Sequence, residues 1–140
     1  MIKNEKEYNS LLDALLPFAE QMLNRYGEFL PFAAVVGADS AVALVAGDIG
    51  QEQPKSTELL EFLFAALRAQ SAEQGCTAAG VCVDVKVLDP RSQQKTDAVH
   101  FVFEHRSGEA LDVYFPYRKR FLRGYQFEKP FAATGQKHVF

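Results

Sequence analysis

The chain has 140 residues, 48% of them hydrophobic and 24% charged, and a net charge of −3. Those proportions fit one folded domain over residues 1–140 and exclude a disordered or low-complexity chain. No apolar run approaches the ~20 residues needed to cross a bilayer, and the polar opening MIKNEKEYNS is not a secretory signal, so the expectation is a cytoplasmic protein with no membrane partner.

A first helix is expected from about Glu5 to Tyr26. Tyr8, Leu11, Leu12, Leu15, Leu16, Ala19, Met22, Leu23 and Tyr26 recur at helical spacing and form one apolar stripe. Asn4 is placed to cap it, with Glu7 completing a capping box, and Gly27 to end it. Pro17 removes one backbone bond, but the stripe keeps its phase on both sides, so a bend is expected and not a break.

Phe32 to Val36 and Ala41 to Ala46 predict two strands joined at Gly37-Ala38-Asp39-Ser40. Their continuous Ala and Val content predicts cover on both faces, or close helix packing on one. Gly47 to Lys55 is a loop by composition. A second helix begins at Ser56 or Thr57, either of which can cap it, and ends before Gly75. Apolar residues surround much of its first half, which predicts burial in the domain or in an oligomer contact.

Ala79 to Leu88 predicts a third strand, with Val81, Val83, Val85 and Val87 inward and Cys82, Asp84, Lys86 and Leu88 outward. From Thr96 to Tyr117 the alternation of Val99, Phe101 and Phe103, then Leu111, Val113 and Phe115, predicts a hairpin. A three-residue loop (Arg106, Ser107, Gly108) sets Phe103 opposite Leu111, Phe101 opposite Val113 and Val99 opposite Phe115. Gly108 then takes the left-handed position. His100, Val102, Glu104, Asp112 and Tyr114 share the other face, with His100 and Tyr114 as direct neighbours. The aromatic tail (Phe121, Tyr125, Phe127, Phe131, Phe140) is expected to dock on the domain and to add a short strand.

The element order predicts an α+β domain: an antiparallel sheet of about five strands with the helices packed on it. Cys76 and Cys82, six residues apart and so separated by roughly 20 Å on one strand, are too distant for a disulfide. No metal-ligand spacing surrounds them. Neither a metal nor a cofactor is expected.

Two sets of residues carry candidate chemistry. Asp84, His100, Glu104, Asp112 and Tyr114 form the candidate ligand face: an imidazole titrates near neutrality, and carboxylates orient it or bind a cation. Plain alternation on a solvated sheet produces the same residue types, and both readings stay open. Tyr117, Arg118, Lys119, Arg120 and Arg123 form the candidate partner surface. They interleave bases with aromatics as nucleic-acid surfaces do, but a pI near 5.6 and the short run argue against nucleic acid; a solvated or ion-paired segment is the plain reading, and an acidic protein partner the intermediate one. His105, Ser107 and Glu109 match a nucleophilic set in composition only, since neighbours in a turn are not expected to form the relay. Phosphate loops, paired zinc motifs and nucleophile elbows are absent from the sequence.

Gly27–Ala33 (GEFLPFA), Ser56-Thr57-Glu58-Leu59, Lys95-Thr96-Asp97-Ala98, Glu104-His105-Arg106 and Pro116-Tyr117 resemble a family of small bacterial proteins to which no function is assigned. The resemblance spans most of the chain and implies a bacterial cytosolic protein of this length. It transfers no active site. The leading expectation is a non-catalytic binding protein acting through protein–protein contact, in concrete form an immunity protein that neutralises a toxin. The alternative is a small-molecule-binding domain or enzyme at the face around His100 and Tyr114. Self-association through the sheet face or the second helix is the third.

Overall fold

Two helices, α1 (Glu5–Tyr26) and α2 (Ser56–Gln74), alternate with strands β1 (Phe32–Val36), β2 (Val42–Val45), β3 (Ala78–Leu88), β4 (Lys95–His105), β5 (Ala110–Arg120), β6 (Gly124–Phe127) and β7 (Phe131–Thr134). The structure is a computed structural model and describes residues 3–45, 56–120, 122 and 124–140. The loop expected from Gly47 to Lys55 lies outside the described residues, as do Ala46, Phe121 and Arg123. All strands pair antiparallel, in the order β2-β1-β3-β4-β5-β6, with β7 on the same edge of β5 as β6 but further along it. The tail therefore supplies two strands.

The helices lie on opposite faces of this sheet. Alternate residues along β1 divide cleanly: Phe32, Ala34 and Val36 pack under α1, while Ala33 and Val35 pack under α2. On the α1 side Leu11, Leu15, Ala19 and Leu23 meet Cys82, Val99, Phe101 and Phe103. On the α2 side Leu59, Leu63, Phe64 and Leu67 meet Ala79, Val81, Val83 and Val102. Covering both faces explains the uninterrupted apolar run of β1, buried along its whole length. Its neighbour β2 does not share that cover. As the edge strand it leaves Leu44 exposed. The second helix is likewise buried along one stripe, with Phe62 exposed on the other side.

The two-sided sheet corrects the facing of β3. Val83 pairs with His100 and Asp84 with Val99, so the valines of β3 point to α2 and Cys82 and Asp84 point to the α1 side. Cys82 is fully buried there, and both cysteines are free thiols. Gly80 allows this packing: a Cβ on it would lie 2.9 Å from the Phe103 ring and 3.3 Å from Leu15. The β4–β5 hairpin has the expected register, Phe103 to Leu111, Phe101 to Val113 and Val99 to Phe115. His105 N donates to Glu109 O, Gly108 N donates to His105 O, and Gly108 has φ 103°.

The helix termini are as expected at one end only. Gly27 is left-handed and its N–H donates to Leu23 O at 2.8 Å. Asn4 is also left-handed, and its side chain caps nothing. Its amide nitrogen donates instead to Ser107 Oγ and Glu109 Oε1 at the hairpin turn, and Glu7 faces His105. The start of α1 is tied to the turn by side chains the capping box would have used. The helix runs unbroken through Pro17.

Candidate functional site

The expected ligand face divides between two sides of the sheet. On the α2 side the pairing of His100 with Tyr114 stacks their rings at 4.3 Å, and Tyr114 stacks in turn on Phe131 of β7 at 5.0 Å. The Arg91 guanidinium lies over Phe131. His100 Nε2 is 3.0 Å from Asp112 Oδ1, so the carboxylate fixes the ring's orientation. Burial pushes the Tyr114 hydroxyl up, with the Asp112 charge adding to it.

Glu104 shares this face but not this cluster. It is 1% exposed, and its carboxylate accepts the backbone N–H groups of His138 (2.7 Å), Val139 (3.0 Å) and Phe140 (3.3 Å). The tail crosses the hairpin there, and the His138 ring stacks on Phe64 of α2. Glu104 is a latch for the tail.

Asp84 sits on the α1 side, against the expectation that it joins His100. A one-residue difference in register exchanges the faces of a whole strand. Its Oδ1 accepts the Tyr117 hydroxyl at 2.6 Å. Burial raises the carboxyl above the usual range; the Tyr117 hydroxyl opposes this, Asp97 adds to it, the Phe29 amide opposes it, and Glu28 adds to it. The same pairing drives the Tyr117 hydroxyl far up, burial first and the Asp84 bond next.

Tyr117 is therefore buried and is not part of an exposed partner surface. The strand's pleat turns it under the GEFLPFA connection, where it packs against Tyr125 and Phe127. Arg118 is exposed and paired with Glu128 at 3.1 Å. Lys119 and Arg120 are exposed and line grooves. Arg123 lies outside the described residues.

Three concavities converge on the connection between α1 and β1. One, of about 340 Å³, is lined by Gly27, Glu28, Asp84, Asp97, Lys119 and Tyr125 among others. A second, of about 370 Å³, is lined by Met22, Tyr26, Glu28, Phe29, Leu30 and Asp84. The third, of about 860 Å³, carries Arg25, Lys119 and Arg120 along with Tyr26 and Tyr125. Glu28 and Asp84 thus form a wall common to the first two, Lys119 lines both the first and the third, and Tyr26 lies between the second and the third. The chain matches no protein-family model, no curated protein and no solved structure.

Apolar groups rim the same place. Phe18, Met22 and Tyr26 repeat every fourth residue along α1, beside the buried stripe, and Leu30 continues the line. Tyr26 is 62% and Leu30 48% exposed. Sequence periodicity places Met22 and Tyr26 in the core stripe; Met22 is half-buried against the core, and Tyr26 is exposed.

The turn at Ser107 also differs from expectation. Ser107 Oγ is 2.9 Å from His105 Nδ1, and the Ser107 N–H donates to the same nitrogen at 3.1 Å. That leaves the ring proton on Nε2, 3.7 Å from Glu7 Oε1. The side chains meet after all, but Ser107 is exposed at a hairpin tip and its oxygen also accepts Asn4. The set clamps helix to turn. Among the described residues no group of three or more His, Cys, Asp or Glu is arranged to hold a metal, and no helix is long and apolar enough to cross a membrane.

Proposed function

We propose that the chain is a non-catalytic binding protein whose protein-docking surface is centred on the connection Gly27–Leu30. One observation carries this: an exposed apolar line (Phe18, Tyr26, Leu30) borders a pocket walled by Glu28 and Asp84. An apolar anchor beside a charged wall is the anatomy of an interface hot spot. The complementary partner is a protein segment with a Lys or Arg adjacent to an aliphatic or aromatic side chain. The apolar group fills the space between Met22, Tyr26 and Leu30, and the cation meets Glu28. Lys119 and Arg120, across Tyr26, add electrostatic steering for an acid elsewhere on the partner.

The same reading includes a bacterial, cytoplasmic protein, with immunity-like neutralisation of a toxin as its concrete form. The support there is the resemblance of GEFLPFA and the other segments to small bacterial proteins. A second reading, a small-molecule site, is favoured by the His100–Asp112 pair, in which the carboxylate orients the imidazole.

The test is selection from a random peptide display library, followed by binding measurements on the Leu30→Asp, Glu28→Lys and Leu44→Asp variants. The expected peptides pair a basic with an apolar residue, and lose at least tenfold in affinity with Leu30→Asp and Glu28→Lys but not with Leu44→Asp. Peptides whose binding ignores Leu30 and Glu28, or failure to select any, would overturn the proposal.

A further inference from the structure

A separate cavity of about 430 Å³ lies between the C-terminal end of α2, the β4–β5 turn and the residues that follow β7. Its lining is Arg68, Ser71, Ala72, Gly75, Cys76, Arg106, Val139 and Phe140. The volume is in the range that takes small ligands. Two guanidinium groups border it, and none of its lining side chains is acidic.

The two arginines are presented differently. Arg68 Nη1 donates to His138 O at 2.6 Å, which holds the group in place and leaves its other N–H groups for a second acceptor. Arg106 is held by its backbone, whose N–H donates to Thr77 O. Its side chain makes no hydrogen bond or ion pair among the described residues. A planar fork with no acceptor of its own suits an oxyanion.

Ser71 supplies an independent observation. The residue is 8% exposed, and its hydroxyl is buried with no partner among the described residues. A helical serine ordinarily bonds back to the carbonyl one turn earlier; this one does not. Its own carbonyl is taken by the N–H groups of Gly75 and Cys76. A buried hydroxyl left without a partner requires an explanation. The Oγ is closed to solvent as it stands; turned about χ1 toward the adjoining cavity, it gains a ligand oxygen.

We propose that this cavity binds a phosphate monoester on a compact apolar body. Arg68 and Arg106 hold the phosphate, the Ser71 hydroxyl donates to one of its oxygens, and Ala72, Val139 and Phe140 contact the apolar part. The site is distinct from the docking surface at Gly27–Leu30 and shares no residue with it.

The experiment is calorimetric titration of the whole chain with phenyl phosphate, inorganic phosphate and benzoate at matched ionic strength, repeated on Arg106→Gln and Ser71→Ala. Phenyl phosphate should bind saturably and more tightly than either inorganic phosphate or benzoate. Each variant should weaken it about tenfold or more, the scale of one charge-assisted hydrogen bond. Ser71→Ala should also melt at a higher temperature than the parent without ligand, because it removes the unpartnered hydroxyl; a purely structural serine would lower it. Absence of saturable phenyl phosphate binding, equal affinity for benzoate, or unchanged affinity in both variants would overturn the proposal.

Discussion

Replacing Glu104 with Ala tests the tail latch. The carboxylate is almost wholly buried and accepts three successive backbone N–H groups, at 2.7, 3.0 and 3.3 Å. A hydrogen bond to a charged group contributes about 1.5–3 kcal/mol, so three bonds on a rigid tail would lose roughly 5–9 kcal/mol. The tail is not rigid. Once released, its amides meet water and its residues regain about 1–2 kcal/mol each of backbone freedom. What is then lost is the stack of His138 on Phe64, seen at 4.2 Å and worth about 0.5–1.5 kcal/mol, with the partial burial of Val139 and Phe140. The net expectation is a loss of about 2–4 kcal/mol, or roughly 1–2 M in urea midpoint. Amide exchange should lose protection at residues 138–140 while the central strands stay protected. Glu104→Gln keeps one acceptor oxygen but turns an amide NH2 toward N–H donors, and should fall between. An unchanged midpoint with protected tail amides in Glu104→Ala would refute the reasoning.

Three further outcomes follow from the same packing. Gly80→Ala puts a Cβ 2.9 Å from the Phe103 ring; it should cost about 1–3 kcal/mol in chemical denaturation, and a neutral result would mean that α1 and β4 yield easily. Asp84→Asn mimics the protonated acid. Because burial raises the folded carboxyl, stability from the neutral form is complete below the unfolded value of about 3.9 and is lost as pH rises through the folded value. The variant should therefore gain on the parent as pH rises through that window, and a flat or reversed difference would show that the Tyr117 and Phe29 bonds outweigh burial. Cys82, free and wholly buried, should react with a thiol reagent only as fast as the protein opens; its rapid reaction in the native state contradicts the packing.

The sequence carries the helix bounds, because a stripe with a glycine stop is a local signal, and the β4–β5 register, because only one loop length aligns two alternating Phe and Val runs. It does not carry the relation between β3 and β4. Each strand announces one apolar face, but with a helix on both sides of the sheet two registers bury equally well, and Asp84 changes sides with a single step. Tyr117 was hidden by the basic residues that follow it. The partners of Glu104 are backbone amides, which every residue possesses and no side-chain pattern marks. Arg68 and Ser71 lie one turn apart on α2, but Arg106 comes from the β4–β5 turn, and only the fold brings it to the same cavity. Glu28 was legible as part of an unusual connection, but its place beside Asp84 depends on the tertiary approach of β3.

The most direct measurement for the docking surface is an NMR titration of isotope-labelled protein with the tightest selected peptide. The account predicts that perturbed amides cluster at residues 22–30, at Asp84 and along Lys119–Tyr125. Perturbation centred instead on His100, Asp112 and Tyr114, or on the β2 edge, would contradict it.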